Sequence, residues 1–238
     1  MIDLTSKLRV LLGKPYWYLR ALNHRVGNLY CLEVNYKKKK FNIFGSNYHN
    51  IVLVTNEVFK EEQYNWLDVK GRVVYDVGAF LGDSGIYFSL KGAKKVICFE
   101  PYFAKYKLAI KNCKPFKNID VKNAAIGGEN KKILLSSGEN STIGSDLSNS
   151  GNTEVAMLSL DTISKDYDAI LKLDCEGSEY DIIINAKKQT LQKYYQIQIE
   201  YHKGVNVKEI EQKLKSARFN VNVSSDKNGI GWIYAVRI

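Results

Sequence analysis

The sequence predicts an α/β fold whose central sheet is mostly parallel and ends in an antiparallel hairpin. From about residue 71 onward, apolar runs typical of buried strands alternate with helical patterns, as in βαβ units. The last two strands have the turn residues Asp226 to Gly229 between them and no helical pattern, which favours a hairpin. The predicted strands span residues 72–77, 95–99, 119–123, 169–174, 195–201, 219–223 and 231–236, and the predicted helices begin near Ser84, Tyr102, Ser178 and Val207.

The first 70 residues differ in texture from the rest of the chain. A helical pattern is followed by short alternating runs at 29–34, 40–44 and 50–55, which predict a small antiparallel element. Lys37 to Lys40 lie between the first two runs and predict a solvated turn or strand edge. We therefore expect an N-terminal extension over residues 1–70 and a second domain over residues 71–238.

Composition and charge argue against several classes of protein. No stretch approaches the roughly 18 to 20 continuous apolar residues of a membrane span, and residues 1–14 lack the cleavage site of a secretory signal. The 4 cysteines include no Cys-x-x-Cys pair, which argues against a zinc ribbon and favours a reduced, cytoplasmic setting. The net charge is +10, but the lysines are dispersed, so a nucleic-acid partner is not expected and an anionic substrate suits the charge equally well.

A glycine turn follows the first strand of the second domain. Asp76 comes at the end of the apolar run, Gly78 and Gly82 bracket the turn, and Asp83 and Ser84 suit the N-cap of a helix. In an open α/β sheet, ligands bind at the carboxyl ends of the strands beside such a turn. The spacing is wider than in the dinucleotide motif Gly-x-Gly-x-x-Gly, which favours a cofactor with a positive amino acid end over one with a pyrophosphate.

Acidic residues also end the strands that follow. Glu100, after the second strand, can accept hydrogen bonds from both hydroxyls of a ribose. Asp174, Glu176, Glu200 and His202 follow two later strands and can converge on one pocket, since residues two apart on a strand share a face. Beside these acids His202 suits a general base, while a structural role for it stays open.

Six segments, in order, resemble the FkbM family of S-adenosylmethionine-dependent methyltransferases. They are VVYDVGAFLGDS, VICFEP, NAAIG, LSLD, LKLDCEGSEYDII and IQIEYH, and they run from about residue 73 to residue 202. Phe80 stands where many members of the family have Asn. The resemblance implies a Rossmann-like class I methyltransferase sheet, with S-adenosylmethionine across the carboxyl edge of its first strands.

The resemblance also implies roles for particular residues. Asp76, Gly78 and Gly82 would hold the amino acid end of the cofactor, Glu100 would hold its ribose, and Asn123 to Ala125 would lie near the adenine. The residues expected to bind the cofactor are Asp76, Gly78, Ala79, Gly82, Asp83, Ser84, Glu100, Pro101, Asn123, Ala125 and Asp174. The family mostly methylates oxygen, which implies a hydroxyl acceptor on a sugar, a glycan or a small natural product. The alternatives are an RNA methyltransferase and a non-catalytic binding module that retains the fold.

For the transfer we expect His202 as the base, with Asp174 or Glu200 as the alternative. A divalent metal could also bind to these acids and the histidine, that is, to Asp174, Glu176, Glu200 and His202. No metal is predicted, because spacing alone does not define ligand geometry. Residues 136–153, rich in Ser, Asn and Gly, predict either a lid over the site or a plain surface loop. The acceptor and the oligomeric state stay open, since residues 1–70 and 136–153 carry no motif that selects an acceptor.

Overall fold

The computed structural model describes residues 25–135, 153–202, 204–225 and 229–238. The predicted helix before residue 25 and nearly all of the predicted loop at 136–153 lie outside the described residues. The chain divides into two units between Glu61 and Glu62. The assignment of residues 1–70 to an extension and 71–238 to a methyltransferase domain stays a prediction.

The first unit contains a three-stranded antiparallel sheet and a helix. Its strands are β1 (Arg25–Val26), β2 (Leu29–Tyr36) and β3 (Lys39–Gly45), paired in that order. Lys37 and Lys38 form the turn between β2 and β3 at positive φ, 45° and 67°, as a two-residue hairpin requires. Helix α1 (Tyr48–Thr55) follows and continues as a π-helical turn (Asn56–Lys60).

The predicted strand at 50–55 is wrong, because these residues form most of α1. The buried residues of this segment recur at the spacing of a helix and are Ile51, Val52, Val54 and Thr55. The Asn47 side chain caps the helix by accepting a hydrogen bond from Asn50 N at 3.2 Å. The segment therefore has the β-branched composition of a strand but is stabilised as a helix by its cap and its burial pattern.

The second unit contains the remaining strands and helices. Its strands are β4 (Val73–Val77), β5 (Lys95–Phe99), β6 (Ile119–Lys122), β7 (Ala125–Gly127), β8 (Lys131–Leu135), β9 (Thr153–Ser159), β10 (Ala169–Leu173), β11 (Tyr194–Tyr201), β12 (Phe219–Ser225) and β13 (Gly231–Arg237). Its helices are α2 (Asp83–Leu90), α3 (Phe103–Cys113), α4 (Leu160–Ile163), α5 (Glu179–Asn185), α6 (Lys188–Leu191) and α7 (Val207–Ser216). Among the described residues, no helix is both long enough and apolar enough to cross a membrane.

The large sheet has seven strands in the order β12-β13-β11-β10-β4-β5-β6. The strands from β11 to β6 are parallel, and β13 lies antiparallel between β11 and β12. The predicted mostly parallel sheet with a closing hairpin is therefore confirmed. Since the chain enters the sheet at β4 and then moves to β5 on one side and later to β10 on the other, the turn after β4 lies at the switch point where α/β sheets bind ligands.

A second sheet, of three strands, was not predicted. Its order is β7-β9-β8, with β9 parallel to β7 and antiparallel to β8. Two of its strands are short, and β9 follows the long polar connection at 136–153. Pairing between strands that are this far apart in sequence leaves no local pattern for a single sequence to reveal.

Candidate cofactor and acceptor site

A row of polar side chains crosses the middle of the large sheet. Asp76 of β4 is the cross-strand neighbour of Lys172 of β10, and Lys172 is the neighbour of Gln198 of β11. All three are buried. The residues before and after each of them along its strand are apolar and belong to the main core. Because side chains alternate between the faces of a sheet, the polar row lies on the face opposite this core.

Lys172 is the centre of a buried charge cluster in this row. Its Nζ lies 3.1 Å from Asp76 Oδ1 and 3.7 Å from Asp174 Oδ2. The same ammonium donates hydrogen bonds to the carbonyl oxygens of Val77 at 3.2 Å and Gly78 at 2.8 Å. Burial opposes the charge, but Asp76 and Asp174 outweigh it and raise the pKa of Lys172, so the lysine keeps its proton. The lysine therefore ties the turn after β4 to the end of β10.

Asp83 brings a further carboxyl group to this cluster. It is the first residue of α2, it is 5% exposed, and its Oδ1 has no hydrogen-bond partner among the described residues. Burial raises the pKa of Asp83 to about 7. The Lys172 ammonium opposes this rise, whereas the Asp76 and Asp174 carboxylates add to it. When the three carboxyl groups are ionised they outnumber the single ammonium. A ligand with a cationic group beside the turn would balance this charge.

The N-cap of α2 is Gly82 rather than Asp83 or Ser84, which corrects the predicted capping. Ser84 instead donates from its Oγ to Asp76 Oδ2 at 2.7 Å. The hydroxyl therefore holds the buried carboxylate, and no side chain of the described residues caps the backbone amides at the start of α2.

The turn after β4 requires glycine at Gly78. Its φ is +79°, and an added Cβ would lie 1.8 Å from the carbonyl oxygen of Asp174. Gly82 has a φ of +80°, and a Cβ there would lie 2.5 Å from Cys113 Sγ. Gly78 N and Ala79 N both donate to a single carbonyl, Phe99 O, at 3.1 Å. The ends of β4, β5 and β10 thus approach each other around a turn that leaves no room for a side chain at Gly78.

The second predicted acid, Glu100, is buried beside the same turn. Its Oε2 accepts a hydrogen bond from Phe80 N at 3.0 Å, and its Oε1 accepts one from Tyr102 N at 2.9 Å. Burial raises the pKa of Glu100 to about 7, although these hydrogen bonds oppose the rise. Asn123 Nδ2 donates to the carbonyl oxygens of Glu100 and Pro101 at 3.0 and 2.8 Å, which joins the ends of β5 and β6. A carboxylate has lone pairs beyond those used here, so Glu100 can accept further bonds from a ligand.

The predicted residues of the second cluster come together at the ends of β10 and β11. One potential ligand atom from each of Asp174, Glu200 and His202 lies within 4.8 Å of the others. The fourth, Glu176, places Oε2 2.9 Å from His202 Nε2. All four side chains are partly exposed. This part of the site, called the acid–histidine cluster below, is more accessible than the charge cluster around Lys172.

His202 is held by acidic neighbours. The hydrogen bond to Glu176 outweighs burial and raises the pKa of His202 to about 9, so the imidazole is protonated at neutral pH. Its Nδ1 is buried and has no hydrogen-bond partner in the described part of the chain, and the Glu179 carboxylate lies 3.9 Å from it. Glu179 itself accepts hydrogen bonds from the backbone amides of Cys175 at 2.8 Å and Gly177 at 2.9 Å. These two bonds hold the loop before α5, and no capping bond from the Ser178 side chain is found among the described residues.

Two residues of the site were not predicted, Lys172 and Tyr64. Tyr64 donates from its hydroxyl to Asp174 Oδ2 at 3.1 Å, and its buried ring packs against Phe88 and Trp232. Burial raises the pKa of Tyr64, which keeps the hydroxyl a donor. A single lysine inside an apolar strand is a readable signal, because a buried charge needs a partner. Tyr64 lies in a connecting segment that carries no comparable signal.

Comparison with known proteins identifies the family. Residues 76–221 match the family described as Methyltransferase FkbM domain. No match was found among curated proteins. A solved structure described as a putative rRNA-methylase from Clostridium thermocellum is 10% identical, with 75% of this chain and 93% of that chain covered and a TM-score of 0.50.

Two further solved structures are similar to this chain over most of its length. The ribosomal protein L11 methylase from Lactobacillus delbrueckii subsp. bulgaricus is 16% identical, with 80% of this chain and 79% of that chain covered and a TM-score of 0.46. A SAM-dependent O-methyltransferase from Thermotoga maritima is 14% identical, with 87% and 77% covered and a TM-score of 0.48. Since the family match extends over more than half of the sequence, this chain belongs to the FkbM family of S-adenosylmethionine-dependent methyltransferases.

Proposed function

We propose that this chain transfers a methyl group to a hydroxyl of a sugar, a glycan or a small natural product. The observation that carries the proposal is the position of the acid–histidine cluster beside the turn after β4. Asp174 belongs to the cluster, and its carbonyl oxygen lies against Gly78 of the turn. A group able to take a proton from an acceptor is therefore adjacent to the expected methyl donor.

The buried charges fit S-adenosylmethionine as the donor. When bound, this cofactor supplies a methyl group that its positively charged sulfur has already activated. The negative charge of Asp76, Asp83 and Asp174 exceeds the positive charge of Lys172. Asp83 Oδ1, which has no hydrogen-bond partner within the described residues, suits the cationic amino acid end. Glu100 would accept the ribose hydroxyls.

The remaining cofactor residues are proposed for the rest of the same edge. Asn123 and Ala125 would border the adenine, and Pro101 continues the edge beyond Glu100. Gly78, Ala79 and Gly82 would let the cofactor approach the backbone, and Ser84 would act through Asp76, to which it donates.

The acid–histidine cluster would prepare the acceptor. A neutral hydroxyl is a weak nucleophile, so a base placed beside it accelerates the transfer by removing its proton. We assign this role to His202, with Asp174 or Glu200 as the alternative. His202 is protonated at neutral pH in the ligand-free protein, so it must release that proton before it can act. Alignment of the hydroxyl with the methyl group supplies the rest of the acceleration.

A transfer assay tests the proposal. Purified protein is incubated with methyl-labelled S-adenosylmethionine and panels of hydroxylated glycans, small natural products and RNA. We expect label in one of the first two panels, lost in His202→Ala and retained in Glu211→Gln, which changes a partly exposed acid on α7 that pairs with Lys215. Label in RNA, with binding that weakens steeply as salt rises, would instead identify an RNA methyltransferase. Cofactor binding without transfer to any panel would favour a non-catalytic module.

A further inference from the structure

We propose that Asp174, Glu200 and His202 bind a divalent cation of the Mn²⁺ type. The inference rests on the proposed function, since the cation would lie where an acceptor hydroxyl is activated. Each residue offers one ligand atom, and all three atoms lie within 4.8 Å of one another. Three ligands bound to one such ion at about 2.0–2.2 Å lie about 3–4 Å apart, so shifts of no more than about 1 Å in each side chain complete the site.

The donor set suits a first-row cation. Two carboxylates favour Mg²⁺ and Mn²⁺, whereas an imidazole favours the transition metals, so Mn²⁺ is a cation that both ligand types accept. Three protein ligands leave coordination positions open for water and for an acceptor oxygen. Such an arrangement is typical of a catalytic centre rather than of a closed structural site.

Rigid elements hold two of the ligands. Asp174 follows β10 and Glu200 lies in β11, and these two strands are paired in parallel up to Leu173 and Ile199. Asp174 is further oriented by the Tyr64 hydroxyl at 3.1 Å and by the Lys172 ammonium at 3.7 Å. Hydrogen bonds to a ligating carboxylate are the outer contacts that tune and orient metal sites.

The imidazole of His202 is an independent indication of a cation. One ring nitrogen, Nε2, is 2.9 Å from the Glu176 carboxylate, while the other, Nδ1, is buried, makes no hydrogen bond among the described residues and lies 3.9 Å from the Glu179 carboxylate. A ligating histidine commonly has this arrangement, with a carboxylate on one nitrogen and the metal on the other. A buried polar atom without a partner is costly, and coordination would satisfy it.

The cation would change how the acceptor loses its proton. A hydroxyl bound to a divalent cation has a lowered pKa, so its proton can leave to water while its oxygen stays positioned by the metal. His202 then acts as a ligand. In the cation-free protein, His202 keeps the role of base that the proposed function assigns to it.

Mn²⁺ binding to the full chain, freed of metal with EDTA, tests the inference by electron paramagnetic resonance. We expect one Mn²⁺ per chain. Glu200→Gln and His202→Ala should each weaken binding by roughly tenfold or more, and the control Glu211→Gln should not change it. A nitrogen coupling from a bound imidazole, seen by electron spin-echo envelope modulation, should be present in the wild-type protein and absent in His202→Ala.

Two results would overturn the inference. One is the absence of Mn²⁺ binding at millimolar concentration, and the other is binding that neither variant weakens and that shows no nitrogen coupling. A titration of the same samples with S-adenosylmethionine separates this failure from that of the proposed function. Cofactor binding without Mn²⁺ binding leaves the proposed function standing, whereas loss of cofactor binding contradicts that function whatever Mn²⁺ does.

Discussion

The charge cluster around Lys172 and the acid–histidine cluster lie at the same edge of one sheet, but they are built differently. In the first, the buried Lys172 is satisfied by Asp76 and by the turn backbone, whereas the buried Oδ1 of Asp83 has no hydrogen-bond partner among the described residues. In the second, the side chains are half-buried and one imidazole nitrogen has no partner among the described residues. The difference in exposure fits the proposed function, in which the first cluster would hold the cofactor and the second would hold the acceptor.

Backbone crowding at Gly78 should produce the largest effect. Gly78→Ala places a methyl group 1.8 Å from a carbonyl oxygen at a φ of +79°, so the ends of β4 and β10 must separate. The matched control is Gly71→Ala, which has a φ of +73° and no atom within 4 Å of the added carbon. We expect the control to lose about 1–2 kcal/mol of unfolding free energy from backbone strain and Gly78→Ala to lose more. Urea denaturation measures both, and equal losses would contradict the crowding argument.

Removal of the Lys172 charge should come next. Lys172→Met leaves Asp76 and Asp174 without their buried cation, and breaking such a pair costs about 3–5 kcal/mol. Lys132→Met is the control, because the Lys132–Glu154 pair is exposed and should leave urea stability unchanged. A second change, Asp76→Asn, should restore part of the loss in the Lys172→Met background. A stable Lys172→Met protein would show that the cluster is not held by its lysine.

A change of pH should alter cofactor affinity, with a smaller free-energy effect than the two substitutions above. The pKa values of Asp83 and Glu100 are both raised to about 7 by burial. A cation and ribose hydroxyls both favour the ionised carboxylate, so affinity should rise with pH through about 7 and then level off. If one group dominates, calorimetry should give about a tenfold rise from pH 6 to pH 8.

The ligand-free protein should show the opposite trend. An acid whose pKa is raised on folding stabilises the fold most below its unfolded pKa, and this contribution is lost as pH rises to about 7. Glu100→Gln and Asp83→Asn separate the two groups. Affinity that is independent of pH in the wild-type protein would remove both carboxylates from the cofactor site.

The smallest effect is expected at Phe80. This residue has a φ of +46°, a region that Asn tolerates better than a bulky side chain. The Lys105 Nζ lies 4.5 Å from the centre of its ring, which is a cation–π contact. Phe80→Asn should relieve strain but lose the ring contact, for a net gain of roughly 0.5 kcal/mol. Phe80→Leu loses the ring without relieving strain and should be less stable by thermal denaturation. A Phe80→Leu protein more stable than Phe80→Asn would contradict this account.

The two clusters also differ in how far the sequence predicts them. The strand-end acids Asp76, Glu100 and Asp174 and the two bracketing glycines were readable, because strand patterns and turn residues are local. Lys172 could have been read from its place in an apolar strand. Tyr64 could not, since it reaches Asp174 from a segment 110 residues away. The three-stranded sheet was missed for the same reason, as its pairing is not local.

The wrong strand prediction at the position of α1 has a different cause. The β-branched residues of α1 fit a strand by composition, and only the burial pattern and the Asn47 cap decide for a helix. Local propensity was therefore overridden by packing, which a single sequence does not reveal.

Calorimetric titration with S-adenosylmethionine tests most directly whether the charge cluster is the cofactor half. We predict one cofactor per chain, an affinity that falls by about tenfold or more in Asp83→Asn, and an affinity within about twofold of wild type in His202→Ala. Absence of binding, or binding lost in His202→Ala and unchanged in Asp83→Asn, would contradict the division of this edge into a cofactor half and an acceptor half.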